Sequence, residues 1–267
     1  MTLSSILFLF LTHLGIGLAF TLLFVSREAG VKFFRFNTGL AAILLAIGFA
    51  FRPDTPTGPF TYIATAALGL TEAALVVYWA TVGRIRMSLR PALLPIAATA
   101  GLIVVVAQAL AISSQRSAST MVLTVASFVS SAALLGGACG AMILGHWYLI
   151  LPSLDVSHLQ SLTKWHIGSM IVRVVVVTAA VFLAIASWQP GMGPSFERYI
   201  LSSSGIFFWQ RVLFGLGGPA ILSYLTWQTA KIQSTQSATG ILYVDFFAVM
   251  VGEVLAKYLL LLTAVPL

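Results

Sequence analysis

Residues 120–150 read TMVLTVASFVSSAALLGGACGAMILGHWYLI, a run without a single Asp, Glu, Lys or Arg. The hydrocarbon core of a bilayer is about 30 Å thick, and an α-helix rises about 1.5 Å per residue, so that about 20 apolar residues suffice to cross it. This stretch therefore predicts a membrane-spanning helix, and it is long enough to tilt or to protrude.

The composition of the whole chain agrees with that stretch. Hydrophobic residues make up 59% of the 267 residues and charged residues only 8%, whereas a soluble domain carries about 25% charged residues. So few charges do not coat a water-facing surface, and they predict a protein whose solvent is lipid. Little chain remains for a domain outside the membrane.

Seven further apolar stretches reach spanning length, which predicts an all-α polytopic bundle with a single membrane domain over residues 1–267. Turn-forming residues separate several of them, as in Pro53–Pro56 and Gln189–Gly191. The first stretch lacks a basic leader and a small-residue cleavage site, so we interpret it as a retained span. The predicted spans are 3–25, 36–52, 61–83, 91–113, 120–150, 163–188, 204–230 and 240–264.

The basic residues indicate the orientation of the bundle. Eight Lys or Arg residues lie on one side of the predicted spans and three lie on the other. Because short cytoplasmic loops are enriched in Lys and Arg, the first side is predicted to be cytoplasmic and both termini outward. The net charge of +7 has this origin. No basic run alternates with aromatics, so we expect membrane lipids as partners and no nucleic acid.

Ionisable residues inside the spans are the candidates for function, because a charge at the bilayer centre costs roughly 2.5–3.5 kcal/mol. Their depths predict that they converge in the middle and outer half of the bundle. Glu253 and Lys257, four residues apart on one helix face, either neutralise each other or share a polar pocket with neighbouring spans. The candidates are His13, Glu72, Arg173, Arg211, Glu253 and Lys257.

The remaining histidines lie near the predicted cytoplasmic surface. His146 ends the fifth span and His166 begins the sixth, at similar depth. We expect either interfacial hydrogen bonding or an axial pair for haem b. His158 is predicted in the connecting loop. The single cysteine, Cys139, allows neither an intrachain disulfide nor a cysteine-based metal site, and no metal site is predicted.

Glycines indicate where helices approach closely. Gly136 and Gly140 have small-xxx-small spacing in the fifth span, and Gly15 and Gly17 lie in the first. In the seventh span, the sequence from Gly215 to Pro219 predicts a kink. The kink is interpreted either as a packing device or as the wall of a cavity.

The last two spans resemble a known family. Phe208-Trp209-Gln210-Arg211 opens the seventh span, and Gly252-Glu253-Val254-Leu255-Ala256-Lys257-Tyr258 lies in the eighth. This hairpin resembles that of the membrane anchor subunits of dimethyl-sulfoxide-reductase-type molybdoenzymes, in which a Trp-Arg start and a Gly-Glu-x-x-x-Arg ending recur. Lys257 stands where that family has arginine. The resemblance implies eight spans, quinol oxidation, and electron transfer to a partner iron–sulfur protein.

The sequence therefore favours a quinone-interacting subunit of a redox complex in a bacterial inner membrane. In this hypothesis Glu253 or Glu72 accepts protons, and Arg211 or Lys257 donates to a quinone carbonyl, with Arg173 in the same pocket. Three alternatives stay open: a haem b-binding variant, a transporter or channel, and a purely structural subunit. No HExxH, P-loop or GxSxG motif supports a protease, nucleotide-binding protein or esterase.

Overall fold

The computed structural model describes residues 3–52, 58–85, 88–151, 154–189 and 195–267, and within these ranges it contains helices and no strand. Eight helical segments are long and apolar enough to cross a membrane, which confirms the predicted all-α bundle. The helices are α1 Leu3–Thr21, α2 Gly30–Ala50, α3 Pro59–Thr81, α4 Arg90–Ser113, α5 Ala118–Ile150, α6 Val156–Ala186, the short α7 Phe196–Ile200, α8 Ile206–Val212, α9 Gly218–Lys231 and α10 Thr235–Thr263.

Three spans begin at least five residues earlier than the apolar pattern predicts, and one of them is α10, which starts at Thr235 rather than residue 240. The second was expected from residue 36, but α2 begins at Gly30. It includes the basic residues Lys32 and Arg35, and the Arg35 guanidinium donates to the Val82 carbonyl at 2.8 Å. The prediction of a short second span is therefore wrong, because a helix tolerates charges at its interfacial end.

The sixth span also starts early, at Val156 rather than residue 163. Asp155 caps this helix by accepting a hydrogen bond from the Ser157 amide at 2.7 Å, and this bond holds the pKa of Asp155 below its usual value. His158, which was predicted in a loop, lies on α6 and pairs with Glu28 at 2.7 Å. The predicted turns at Pro53–Pro56 and Pro190–Gly191, and the loop residue Arg86, lie outside the described residues.

α1 forms the centre of the bundle, packed against α2, α4, α5 and α10. Gly17 and Gly136 meet where α1 crosses α5, and a Cβ on either glycine would collide with the backbone opposite it. The sequence predicted close helix packing at these glycines without naming the partner helices, and the structure shows that the first and fifth spans approach each other there. α3 lies at the periphery, where it packs mainly against α2 and α4.

The seventh span is broken, as its glycines and proline predict. α8 and α9 are joined by a π-helical turn at Leu213–Gly217, and the whole span runs over Ser203–Lys231. Pro219 lies at the start of α9, where its missing N–H costs little. A π-turn places an extra residue in the helix and redirects the segment before it. In the structure α8 packs against α10.

Candidate functional site

Glu253 lies at the centre of a buried ion cluster to which five helices contribute side chains. The Arg173 guanidinium from α6 donates to both oxygens of the Glu253 carboxylate, from Nε to Oε1 at 2.9 Å and from Nη2 to Oε2 at 3.0 Å. Arg211 from α8 donates through Nη2 to Oε1 at 2.8 Å. All three side chains are fully buried. Bidentate arginine–carboxylate pairs of this kind are strong and directional.

The opposite side of the carboxylate faces Ser131 on α5. The Ser131 hydroxyl donates to Glu253 Oε2 at 2.5 Å and accepts a hydrogen bond from Lys257 Nζ at 2.7 Å. Lys257 Nζ is 3.7 Å from Glu253 Oε2 and 5.1 Å from the Phe128 ring centroid. His13 on α1 reaches the same serine hydroxyl, with 3.4 Å between Nδ1 and Oγ. The hydroxyl therefore links the lysine and the histidine to the carboxylate.

Both arginines also donate to neighbouring backbone groups, while Arg211 Nε is buried without a hydrogen-bond partner among the described residues. Arg173 Nη1 donates to the Ser127 carbonyl at 3.1 Å and to the Ser127 hydroxyl at 2.8 Å, and Nη2 donates to the backbone oxygen of Leu267 at 2.7 Å. Arg211 Nη1 donates to the Gly215 carbonyl inside the π-turn at 2.9 Å. Each guanidinium thus ties a second chain segment to the carboxylate.

The convergence of Arg173, Arg211, Glu253 and Lys257 agrees with the interpretation of one shared polar interior. Among the described residues these side chains are at most 1% exposed, and none of the four lines a described cavity. Charges that are buried and hydrogen-bonded in this way hold helices in register, because separating any partner leaves an uncompensated charge. We interpret the cluster as a structural connection between the helices that contribute to it.

Glu72 does not join the cluster. It lies on the peripheral α3 and is half-buried, and its Oε2 atom is buried without a hydrogen-bond partner among the described residues. Its depth agrees with that of Glu253, but α3 packs mainly against α2 and α4. Proton acceptance by Glu72 stays a prediction, and it concerns a separate place in the bundle.

A second buried pair connects α6 and α10. His166 Nε2 lies 2.6 Å from Asp245 Oδ2, and both side chains are fully buried. The contact is not aligned as a hydrogen bond, and neither His166 Nδ1 nor Asp245 Oδ1 has a partner in the described chain. Asp245 was not among the predicted site residues, although it lies in the eighth predicted span, two helical turns before Glu253. The four-residue spacing of Asp245, Val249, Glu253 and Lys257 was the available signal.

His146 occupies a different environment from His166. It is exposed on the surface of the bundle, where Nδ1 and the Tyr243 hydroxyl form a hydrogen bond of 2.8 Å. This pair closes one end of a groove of about 370 Å³ between α1, α2, α5 and α10. The other residues of the groove wall are apolar or carry sulfur: Leu14, Phe36, Leu40, Leu44, Cys139, Met142, Ile143, Phe246 and Met250.

The two histidines of the hypothetical haem pair thus have separate partners. Axial ligation needs a free ring nitrogen on each residue, and the His166 Nε2 atom is 2.6 Å from Asp245. His166 would have to offer Nδ1 instead or release Asp245. No group of three or more His, Cys, Asp or Glu residues within the described ranges has a metal-binding arrangement. Haem binding stays a prediction.

In comparisons with known proteins, no family model matches the chain, and no curated protein matches it either. The resemblance of the last two spans to the anchor subunits of molybdoenzymes therefore stays an expectation, with the residues that carry it now located. Arg211, Glu253 and Lys257, which form its motif, are the core of the buried ion cluster.

Proposed function

We propose that this membrane protein binds a quinone in the groove closed by His146 and Tyr243 and serves as the quinone-interacting subunit of a redox complex. The observation that carries the proposal is the pairing of an apolar, membrane-accessible groove with one hydrogen-bonded polar pair at its end. Ligand pockets are typically about 300–1,000 Å³, mostly apolar, with a few polar groups that fix orientation.

The apolar wall suits the ring and tail of a quinone. Phe36, Leu40 and Leu44 on α2 form one side, and Met142, Phe246 and Met250 on α5 and α10 form the other. Methionines adapt to irregular apolar ligands and make favourable contacts with aromatic rings. Because the groove opens on the lipid-facing surface, an isoprenoid tail extends from it into the bilayer without entering water.

The polar end supplies the chemistry that a quinone needs. Its carbonyls accept hydrogen bonds, and the Tyr243–His146 pair offers one donor at the end of the groove. That donor is His146 Nε2–H when the Tyr243 hydroxyl donates to Nδ1, and the Tyr243 hydroxyl when Nδ1–H donates to it. When a quinol is oxidised it releases two electrons and two protons. The His146 imidazole is the base that takes one of these protons, and the second passes to water. The electrons leave to the redox centre of a partner subunit, as the resemblance implies.

The buried ion cluster has a positioning role in this proposal. Two residues of the groove wall adjoin the cluster along the chain. Leu14 directly follows His13, and Met250 lies one helical turn before Glu253. The cluster fixes α1, α5 and α10 relative to one another, and these helices make three of the four groove walls. Direct hydrogen bonding of Arg211 or Lys257 to the quinone requires the cluster to open, so we assign first contact to His146 and Tyr243.

The proposal also includes the setting of the protein. We infer a bacterial inner membrane, with lipids around the bundle and redox subunits docked on its surface. The loops are short, so a partner that receives electrons must contact helix ends.

Retention of quinone by the full-length protein tests the proposal. Membranes enriched in ubiquinone or menaquinone are solubilised, the protein is purified, and bound quinone is extracted and quantified against protein. Tyr243→Phe and His146→Leu are compared with Tyr224→Phe. Tyr224 is a matched control, because its hydroxyl is also exposed and also hydrogen-bonded, accepting from Gln228 at 2.7 Å, but lies outside the groove.

Wild type and Tyr224→Phe are expected to retain similar amounts of quinone. Each groove variant should bind about 3- to 10-fold more weakly, since a hydrogen bond contributes about 0.5–1.5 kcal/mol. Equal retention in all four proteins would exclude this groove. An absorption spectrum of the same sample tests the haem alternative, because a Soret band that is lost in His146→Leu would favour haem binding instead.

A further inference from the structure

A second cavity, of about 460 Å³, lies between α1, α2, α3 and α4 at the membrane end predicted to be cytoplasmic. It is unrelated to the proposed quinone groove. Most of its lining is apolar, and the exceptions are two arginines and a tyrosine. The lining includes Leu22, Arg27, Tyr78, Arg90 and Leu94.

The two arginines come from different loops and meet at this cavity. Arg27 begins the 3-10 turn between α1 and α2, and Arg90 begins α4. The Nε and Nη2 atoms of Arg90 are buried and have no hydrogen-bond partner among the described residues. Tyr78 from α3 is largely buried in the same wall. No carboxylate among the described residues lines the cavity.

Buried guanidinium donors without an acceptor are costly, because the group has lost water and gained nothing in exchange. The positive charge and the fork of donors match the geometry of a phosphate group. The rest of the wall is apolar. It offers no hydrogen bonds to a small hydrated anion, but it accommodates acyl chains. Basic pockets between spanning helices on the cytoplasmic side are the expected place for anionic lipid headgroups.

We propose that this cavity binds the phosphate group of an anionic glycerophospholipid, held by Arg27 and Arg90, with its acyl chains along Leu22, Leu94 and their apolar neighbours. A lipid at this place connects the loop before α2 with the start of α4. It is a binding site in the protein's own structure and is independent of any quinone.

Native mass spectrometry of the full-length protein tests the proposal. The protein is delipidated in detergent and titrated separately with phosphatidylglycerol, phosphatidylcholine and inorganic phosphate. Arg27→Gln and Arg90→Gln are compared with Arg84→Gln. Arg84 is the matched control, since it is exposed at the same membrane end, lies 6.0 Å from the Trp79 ring centroid, and does not line the cavity.

Wild type and Arg84→Gln should bind phosphatidylglycerol at least about tenfold more tightly than phosphatidylcholine, and each cavity variant should lose most of that preference. Should Arg90→Gln fail to fold, Arg27→Gln still decides, because Arg27 is exposed on a turn. Equal binding of both lipids by wild type would overturn the proposal. So would an equal loss in Arg84→Gln, which indicates general surface charge, or displacement of the lipid by millimolar inorganic phosphate, which indicates a free anion.

Discussion

Gly215 and Gly252 face each other where the π-turn of the seventh span meets α10, and a Cβ added to Gly215 would stand 2.5 Å from the Gly252 Cα. Arg211 lies four residues before Gly215 and Glu253 directly follows Gly252. The contact of the two glycines therefore sets the distance over which Arg211 reaches Glu253, which is 2.8 Å between Nη2 and Oε1. Two residues without side chains thus position two fully buried charges of the hairpin.

Gly252→Ala should destabilise the protein by about 1–3 kcal/mol, because backbone opposes the new methyl group and the helices must separate. Gly240→Ala is the control on the same helix. A Cβ at Gly240 meets nothing within 4 Å, and alanine favours the helix, so this variant should be neutral or slightly more stable. Denaturant unfolding in detergent micelles measures both. Equal stability of the two variants would contradict the close contact.

Glu253→Gln should cost about 3–5 kcal/mol, since it leaves Arg173, Arg211 and Lys257 buried without their carboxylate. Glu28→Gln removes a carboxylate that is 69% exposed and paired with His158. It should change the free energy of unfolding by less than about 1 kcal/mol. The free energies of unfolding of the two variants distinguish a buried cluster from a surface pair. Similar small losses for both variants would show that water reaches the cluster.

Glu72→Gln should leave stability unchanged or raise it. The carboxylate is half-buried on α3 and its buried oxygen has no partner in the described chain, so the substitution removes a desolvation cost and breaks no ion pair. The measurement is the same unfolding experiment. A loss comparable with that of Glu253→Gln would mean that Glu72 has a partner and belongs to a polar network.

His166 and Asp245 should show strong coupling in a double-mutant cycle. Each single change, His166→Leu or Asp245→Leu, leaves a buried polar group behind and should cost about 1–3 kcal/mol. The double variant should cost less than the sum of the two, because no orphaned group remains. Additive losses would contradict a direct interaction, despite the 2.6 Å between Nε2 and Oδ2.

The number of spans was predictable because the length of an apolar run is a property of the sequence alone. The convergence of Arg173, Arg211 and Glu253 was predictable for a related reason. A charged side chain in lipid is costly, and it usually pairs with an opposite charge at a similar depth. Glu72 shows the limit of that argument. The sequence predicts how deep Glu72 lies in the membrane. The apolar pattern of α3 does not show which helices it packs against.

The groove at His146 and Tyr243 could not be predicted from the sequence, because the sequence does not show which helix faces meet. His146 was placed correctly at the end of the fifth span, but its partner depended on which face of α5 turns toward α10. That rotation is set by contacts such as Gly145 against Thr239, which no periodicity encodes. The early starts of α2 and α6 were missed because their interfacial ends carry Lys32 in α2 and His158 in α6, polar residues that an apolar window excludes.

The quinone groove is tested most directly by photolabelling. A photoreactive quinone analogue is added to membranes that contain the protein, and mass spectrometry locates the labelled residues with and without excess natural quinone. The account predicts labels on the groove wall, at Phe36, Met142, Phe246 or their neighbours, that natural quinone suppresses. Suppressible labels confined to α8 and α9, around Phe214, would contradict it.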